Sequence, residues 1–329
     1  MKDIYFDEKF LKVYETHENG ILGCFKYSDA SGEMQVYFIK RSLSDFSGGE
    51  GYYDITTPYG YGGPRIIHCS PGSEKTLTEN FFSAFENYCK EEKIISFFCR
   101  FHPIIKNAAY SEKGFDEIKL NRQIVVTDLS RDFEEEFAPR AFKDSKYSRR
   151  KGVSIEFDTA DRYLDHFIEL YYESMKQKHA DGYYFFQKSY FEYLFNQFPG
   201  EIILATAIYR KMPINHKMMF IYGDIAYGHL ICKVSEFSNF RPNDLSYFDS
   251  MVYAKEKGCR FFVSGGGLSN DPEDSLLKYK MKFSTSPLQD FYIGKKVYDK
   301  EVYDQLCRNI SEITNDFFPL YRISEHEKK

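Results

Sequence analysis

The chain has 329 residues, 43% of them hydrophobic and 28% charged, with a formal charge of -5 at pH 7. These proportions exclude a disordered or fibrous chain, and the negative balance excludes a protein that coats nucleic acid over a broad cationic face. The 18% of aromatic residues consists of 28 Tyr and 32 Phe with no Trp, more phenol groups than a core requires, which predicts tyrosine-lined clefts.

The length suits two domains. No apolar run approaches the roughly 20 residues that span a bilayer, and the opening MKDIYFDEKFLKVYE is too charged for a secretory leader. A cytoplasmic protein without a transmembrane segment is expected, with peripheral membrane contact left open. The seven cysteines, at 24, 69, 89, 99, 232, 259 and 307, show no C-x-x-C spacing, so neither a disulfide framework nor a zinc site is expected. The histidines form no H-E-x-x-H pair, and no metal is expected.

In chain order, GCFKY and MQVYFIKR read as early strands, followed by the glycine- and tyrosine-rich loop SGGEGYYDITTPYGYGGPR. TLTENFFSAFENYCKEEK carries Phe81, Phe82, Phe85 and Tyr88 at helical spacing, with threonines available to cap its start. IISFFCRFHP and RQIVVTDL read as strands. The charged stretch RDFEEEFAPRAFKDSKYSRRKGV turns from acidic to basic and reads as a helical connector ending at Gly152. The division is placed there: a first domain over 1–151 that includes the basic connector, and a second over 152–329. VSIEFD is then a strand; DRYLDHFIELYYESMKQKH and QKSYFEYLFNQF are amphipathic helices. EIILATAIYR, KMMFIYG and IAYGHLICKV are strands, the last two joined as a hairpin at Gly223 and Asp224. RPNDLSYFDSMVYAKEKG is a helix with Asn243 as its cap, and CRFFVSG returns to the sheet. The expected fold class is α/β, mixed sheets with helices on both faces, in an acyltransferase-like order with too many hairpins for a doubly wound sheet.

The run FFVSGGGLSNDPEDSLLKYKMKF at 261–283 raises the functional question. Asp271 as cap and Pro272 at the first position predict that a helix opens at DPED, whose acidic first turn disfavours an anion there. On its wheel Lys280 points with the apolar residues, whereas Lys278 and Lys282 fall on the far side. A lysine on an oily face either snorkels to the rim, forms an ion pair, or aims a cation into a cleft where an oxyanion develops. Gly265, Gly266 and Gly267 follow the strand where close backbone approach is useful.

The run GGGLSNDPEDSLLKYKMKFS resembles the GGG-then-D-S-L-x-x-F-K-x-x-F signature of the Fem-type transferases, a GNAT-like family. YYDITTPYGYGGP at 52–64, RFHP at 100–103 and FIELYYESMKQKHADGYYFF at 167–186 are similar to its other common segments. The resemblance implies two tandem GNAT-like acyltransferase domains, an acceptor cleft near their junction, and transfer of an acyl group, often an amino acid, to a primary amine. The family's reaction-centre lysine corresponds to Lys280, with Tyr279 in place of a phenylalanine and Phe283 retained. The long charged coiled-coil insertion of some cross-bridge enzymes is missing, which makes this the shorter form.

On this reading Lys280 stabilises the oxyanion, while Asp54, Tyr59 and Tyr61, with Gly62 and Gly63, orient the amine. Alternatively, the same glycines and prolines make consecutive turns that the tyrosines cover. Lys146, Arg149 and Arg150, with Lys143, are either a solvated helix face or a phosphate contact for a nucleotide-linked acceptor or a tRNA acceptor stem. Tyr184, in the HADGYYFF loop, is expected to line the cleft together with Gly265 to Gly267 and Phe283; His179 and Asp181 are a weaker catalytic pair. VSEFSNFRPNDL lacks the glycines with which acyl-CoA enzymes cradle pyrophosphate, leaving Arg241 as the phosphate contact. The leading expectation is aminoacyl-tRNA-dependent aminoacyl transfer to a peptidoglycan precursor, the acceptor being a nucleotide-linked muropeptide. The alternative is an acyl-CoA-dependent N-acyltransferase acting on an amino sugar in surface-polysaccharide synthesis, and a third is a non-catalytic binding module. No tightly bound cofactor and no DNA partner are expected.

Overall fold

The computed structural model describes residues 2–308, 310 and 316–323. Helices α1 (Glu8–Lys12) and α2 (Tyr14–Glu18) lead into strands β1 (Ile21–Asp29), β2 (Gly32–Ser42), β3 (Tyr53–Thr56) and β4 (Arg65–Cys69). Helix α3 (Glu74–Glu91) and strands β5 (Ile94–Arg100) and β6 (Glu117–Asp128) come next, then the connector helices α4 (Phe133–Glu136) and α5 (Pro139–Arg150). Beyond β7 (Val153–Asp158) come α6 (Leu164–Gln177), α7 (Lys188–Gln197), β8 (Ile202–Tyr209), β9 (Met212–Tyr222) and β10 (Ile225–Lys233). The chain then forms α8 (Pro242–Glu256), β11 (Phe261–Gly266), α9 (Ser275–Met281), β12 (Gln289–Val297) and α10 (Lys300–Cys307). The α/β class and the mixed sheets are as the sequence predicts. No helix among the described residues is long and apolar enough to cross a membrane.

Two compact units result, one of Met1–Ile4 with Arg122–Gln289 and one of Tyr5–Asn121 with Asp290–Lys329. This partition differs from the expected division at 151/152 for two reasons. The basic connector packs α5 against α8 and therefore belongs with the unit that holds α8. The segment from 290 onward returns to the earlier unit, where β12 runs antiparallel to β5.

In the unit built from Tyr5–Asn121 and Asp290–Lys329, β1, β2 and β3 form antiparallel pairs, β3 runs parallel to β5, and β4 pairs with β2. Phe81, Phe82 and Phe85 of α3 lie on Val36, Phe38 and Phe97 of this sheet, the face that the helical spacing predicts. Thr76 and Thr78 lie inside α3 and its cap residue is Ser73, so the threonines do not cap it.

In the other unit the sheet order is β6-β11-β10-β9-β8-β7. Among the described residues all its pairs are antiparallel except β10 with β11, which is parallel and is connected through α8. That parallel pairing covers only Ile225 to Tyr227 against Phe261 to Val263. The nine-residue β10 then carries a bulge between Gly228 and Leu230, and β11 another between Val263 and Gly265. Two bulges beside this parallel pair bend the strands where pairing stops. The hairpin at Gly223 and Asp224 forms as predicted, with Gly223 at φ 60°.

A candidate transfer site where two strands part

The glycine run finishes β11 and leads to the helix that carries Lys280. Helix α9 begins at Ser275 and its cap is Asp274, not Asp271. The sequence DPED promised an earlier start, but Asp274 satisfies more backbone donors. One of its carboxylate oxygens accepts from the Leu276 and Leu277 amides, both at 2.9 Å, and the other from Leu268 and Ser269, also at 2.9 Å. With four amide donors its carboxyl is held down at about 2. A methyl group built on Gly267 would lie 2.5 Å from this carboxylate, so the third glycine is explained by the clamp.

Lys280 is mostly enclosed. Its Nζ donates to the Gly266 carbonyl at 2.7 Å, and a methyl group on Gly265, whose φ is 74°, would lie 3.5 Å from that nitrogen. Burial, with the nearby Arg122 charge, brings its ammonium down to about 8, against a smaller upward pull from Asp274. Arg122 itself donates to the Gly267 carbonyl at 3.0 Å. Lys280 therefore remains mainly charged near neutrality, fixed by one of its three N–H donors at the end of β11. Phe283 is fully buried and stacks on Tyr247, with centroids 5.2 Å apart, as a support beneath α9.

The helical wheel fails at Lys282. It lies one residue beyond α9 and turns inward, where it binds Asp244 and, at 3.1 Å, Asp144; Lys278 pairs with Glu273 at the surface. Arg241, the expected phosphate contact, is bonded to Asp144 and lies with its guanidinium carbon 5.0 Å over the Tyr147 ring. Arg140 joins the same carboxylate at 3.5 Å. This cluster meets the amino end of α8, where Pro242 supplies no N–H and the Asp244 and Leu245 amides bond the Arg241 carbonyl. Asn243 is not the cap; its Oδ1 accepts from Asn215 at 2.6 Å.

Sequence reasoning missed Lys217. It sits in β9 opposite Ile231 of β10, directly after Asn215 and His216, so in the sequence it reads as the polar edge of the apolar run that follows. It is 1% exposed, and among the described residues its Nζ has no hydrogen-bond partner. The nitrogen lies 3.1 Å from the Tyr247 ring centroid and 4.7 Å from that of Phe262.

The remaining predicted residues are distributed differently. Asp54 is fully buried in the unit that lacks Lys280, bonded to Arg41 at 2.8 Å, Arg322 at 2.5 Å and Tyr321 at 3.0 Å. Burial would raise its carboxyl, but Arg41 and Arg322 outweigh burial and hold it below the ordinary value. Three side chains of the same unit engage this carboxylate, which gives it a structural role. Tyr61 stacks edge-on with Tyr5 and Phe291, both at 5.2 Å, and Tyr59 lies 6.4 Å from Tyr14. Gly62, which bridges to Phe101, and Gly63 are buried: Asn107 donates to the Gly62 carbonyl at 2.7 Å, and a methyl group on Gly63 would lie 2.9 Å from that amide. The turn-and-cover reading of PYGYGGP therefore accounts for these contacts.

Lys146, Arg149 and Arg150 lie on α5 and all three are exposed. Arg149 reaches Asp249 at 2.5 Å. Tyr184 is exposed at its side chain, while its carbonyl accepts from Tyr171 at 2.6 Å. Asp181 caps a short turn through the Tyr183 amide at 2.8 Å, and His179 is in the left-handed region at φ 48°. Among the described residues no group of three or more His, Cys, Asp or Glu is placed to hold a metal ion.

Residues 142–281 match the family model described as an acetyltransferase (GNAT) domain. Among solved structures, FemX aligns with a TM-score of 0.70 at 12% identity, over 92% of this chain and 94% of that one. L-PGS from Bacillus licheniformis aligns at 0.55 with 13% identity, over 88% and 92% of the two chains. The C-terminal domain of a putative lysylphosphatidylglycerol synthetase from Agrobacterium fabrum aligns at 0.54 with 10% identity, over 84% of each. At these identities the likeness is one of fold. No curated protein matches the sequence.

Proposed function

We propose, from an acyltransferase domain of the GNAT type over residues 142–281 on a FemX-like fold, that this protein transfers an aminoacyl group from aminoacyl-tRNA to a primary amine of a peptidoglycan precursor. The observation that carries the reading is the Lys280 ammonium, held at the end of β11 by the Gly266 carbonyl where β10 and β11 part. Attack of an amine on an ester drives an electron pair onto the carbonyl oxygen, and a fixed cation at that point stabilises the transition state more than the neutral ground state. A nucleotide-linked muropeptide is the acceptor on this reading.

The choice of donor rests on the amino end of α8. An acyl-CoA pyrophosphate docks on free amides at a helix start. Here that end has a proline, amides bonded to Arg241, and the carboxylates of Asp144 and Asp244 neutralised by Lys282 and Arg241. A dianionic pyrophosphate would have to displace that network. The second reading, acyl-CoA-dependent N-acylation of an amino sugar, is favoured by the description of the matched domain as an acetyltransferase.

Thermal melts with acetyl-CoA, charged tRNA and a nucleotide-linked muropeptide separate the two, since a ligand at about 100 times its Kd stabilises by roughly 2.7 kcal/mol. Stabilisation by charged tRNA and muropeptide is expected. A shift with acetyl-CoA alone rejects the aminoacyl-tRNA donor in favour of the second reading.

A further inference from the structure

Lys217 and Lys280 approach the two strands β10 and β11 just beyond the point where their pairing ends, each from a different element. A methyl group on Gly228 would lie 3.2 Å from Lys217 Cε and 3.6 Å from its Nζ, and a methyl group on Gly265 would lie 3.5 Å from Lys280 Nζ. Gly228 comes directly after the last residue of β10 that pairs with β11, and Gly265 lies two residues beyond the last residue of β11 that pairs with β10. Both glycines are partly exposed, and at neither does a side chain stand between the backbone and the nearby amine.

The surroundings of the two amines differ. Lys280 has a carbonyl acceptor; Lys217 has ring faces. The titratable groups around Lys217 are Tyr247 from α8 and Lys280 from α9, with Arg122 of β6 adding positive charge beside Lys280. Among the described residues nothing in this shell offers Lys217 a negative charge. Burial first, then the Lys280 charge, holds Lys217 well below its ordinary value, while burial pushes the Tyr247 phenol up, so that it stays neutral and leaves no phenolate for the amine to pair with. An amine this enclosed without acceptors is rare among lysines and is a recurrent sign of a functional group.

We propose that Lys217 is a second functional amine of this site, accepting the proton that an incoming ammonium must lose before it can attack. The proposal rests on the acyl-transfer reading above and adds the base that reading lacks. The acceptor R–NH3+ gives one proton to Lys217 Nζ, which becomes an ammonium. The freed amine forms the N–C bond to the ester carbonyl carbon, and the carbonyl electron pair moves to oxygen beside Lys280. Collapse breaks the C–O bond, and the departing ribose oxygen takes the proton still carried on the attacking nitrogen. Lys217 returns its proton to water as product leaves, so each turnover converts one ammonium to an amide and releases one proton.

The test has two arms. In the intact protein with 13C-labelled lysine, the Cε resonance assigned to Lys217 by its loss in Lys217→Met is expected at the uncharged position at pH 7, and to remain there in Lys280→Met, where the neighbouring charge is gone but the burial persists. A charged Lys217 in the wild type overturns the proposal whatever the substrate. In the second arm, transfer from tRNA charged with labelled amino acids to a nucleotide-linked muropeptide is followed against pH. Loss of a general base costs about 100-fold or more, so Lys217→Met is expected to lose about that much at pH 7 and to recover as pH nears the acceptor amine's own pKa. Lys217→Arg, permanently charged, is expected not to restore the rate. A wild type that turns over beside a Met variant with the same pH profile overturns this proposal alone; a wild type with no turnover from any charged tRNA overturns the donor reading and this one with it.

Discussion

Two clusters of ionisable groups, one in each unit, make opposite arrangements. Asp54 lies between Arg41 and Arg322 with Tyr321 against it, and Tyr321 in turn bonds Ser96 at 2.7 Å. The Lys217 and Lys280 pair has one carbonyl acceptor between two amines. Burying charge costs several kcal/mol unless partners offset it. The first cluster is offset internally and ties residues 321 and 322 to β2 and β3, which is a structural role. The second is left short of acceptors, and a site kept short of acceptors is one that gains when an anionic group or a transition state arrives.

The largest expected effect breaks the first cluster. Asp54→Ala leaves two guanidinium groups facing each other without their carboxylate, and removing one partner of a buried network costs about 3–5 kcal/mol. The unit built from Tyr5–Asn121 and Asp290–Lys329 is expected to lose that much in a denaturant titration. The pH dependence has the matching sign. Because the folded carboxyl is held below its unfolded value of 3.8, its stabilisation is full above that pH and fades as pH falls through the folded value. A variant that unfolds like the wild type, with unchanged acid sensitivity, would mean that Asp54 is free for a role in binding.

Lys280→Met sharpens the other side of the comparison, with activity and stability moving in opposite directions. Removing one preorganised oxyanion donor costs about 100- to 1,000-fold in kcat. The wild-type rate is expected to fall above pH 8, because the folded ammonium titrates at about 8. Stability is governed by the same shift. The folded group titrates below its unfolded value of 10.5, so the unfolded chain binds more protons between about 8 and 10.5 and wild-type stability rises across that window. Removing the charge should stabilise the protein by roughly 1–3.5 kcal/mol below pH 8, the upper end being the full shift from 10.5 to about 8 at about 1.4 kcal/mol per pH unit, with the gain vanishing toward pH 10.5. A variant with wild-type turnover ends the catalytic assignment even if it melts higher.

The two clusters are unequally legible in the amino-acid sequence. Lys280 stands out because α9 is short and amphipathic, and one lysine on its apolar side breaks a strong pattern. Lys217 does not, since it follows Asn215 and His216 and so looks like the polar start of the apolar run, while the strand is in fact buried on both faces from Ile214 on. Asp54 is misread because its partner Arg322 lies far away in the chain, and only the returning segment brings that arginine to it. Lys282 and the start of α9 are misread for a shared reason: Asp274 takes four amides and shifts the helix start, and a wheel extended beyond the last turn has no meaning. The strands and hairpins of the GNAT-like unit are legible because each apolar run ends in glycine, proline or a polar cluster. β3 is hidden inside a loop whose glycines dominate its composition.

The smallest effect concerns the outer face of α5, a third kind of charge, exposed rather than buried. Arg149 is 53% exposed at its side chain and pairs with Asp249, while burial pushes that carboxyl up to about 6 against the pull of the arginine. An exposed pair contributes about 0–1 kcal/mol, and Lys146→Ala or Arg150→Ala should stay within about 0.5 kcal/mol of wild type, as surface substitutions do. Stability is therefore a poor readout here, and the salt dependence of tRNA affinity is a better one. Each cation that contacts a phosphate contributes a slope of about 0.7–0.9 in log K against log salt, so the triple variant of Lys146, Arg149 and Arg150 to alanine should flatten the slope by roughly 2 to 3 if all three engage the backbone. An unchanged slope identifies the face as solvated, and leaves recognition of the nucleic acid to the residues around Lys280.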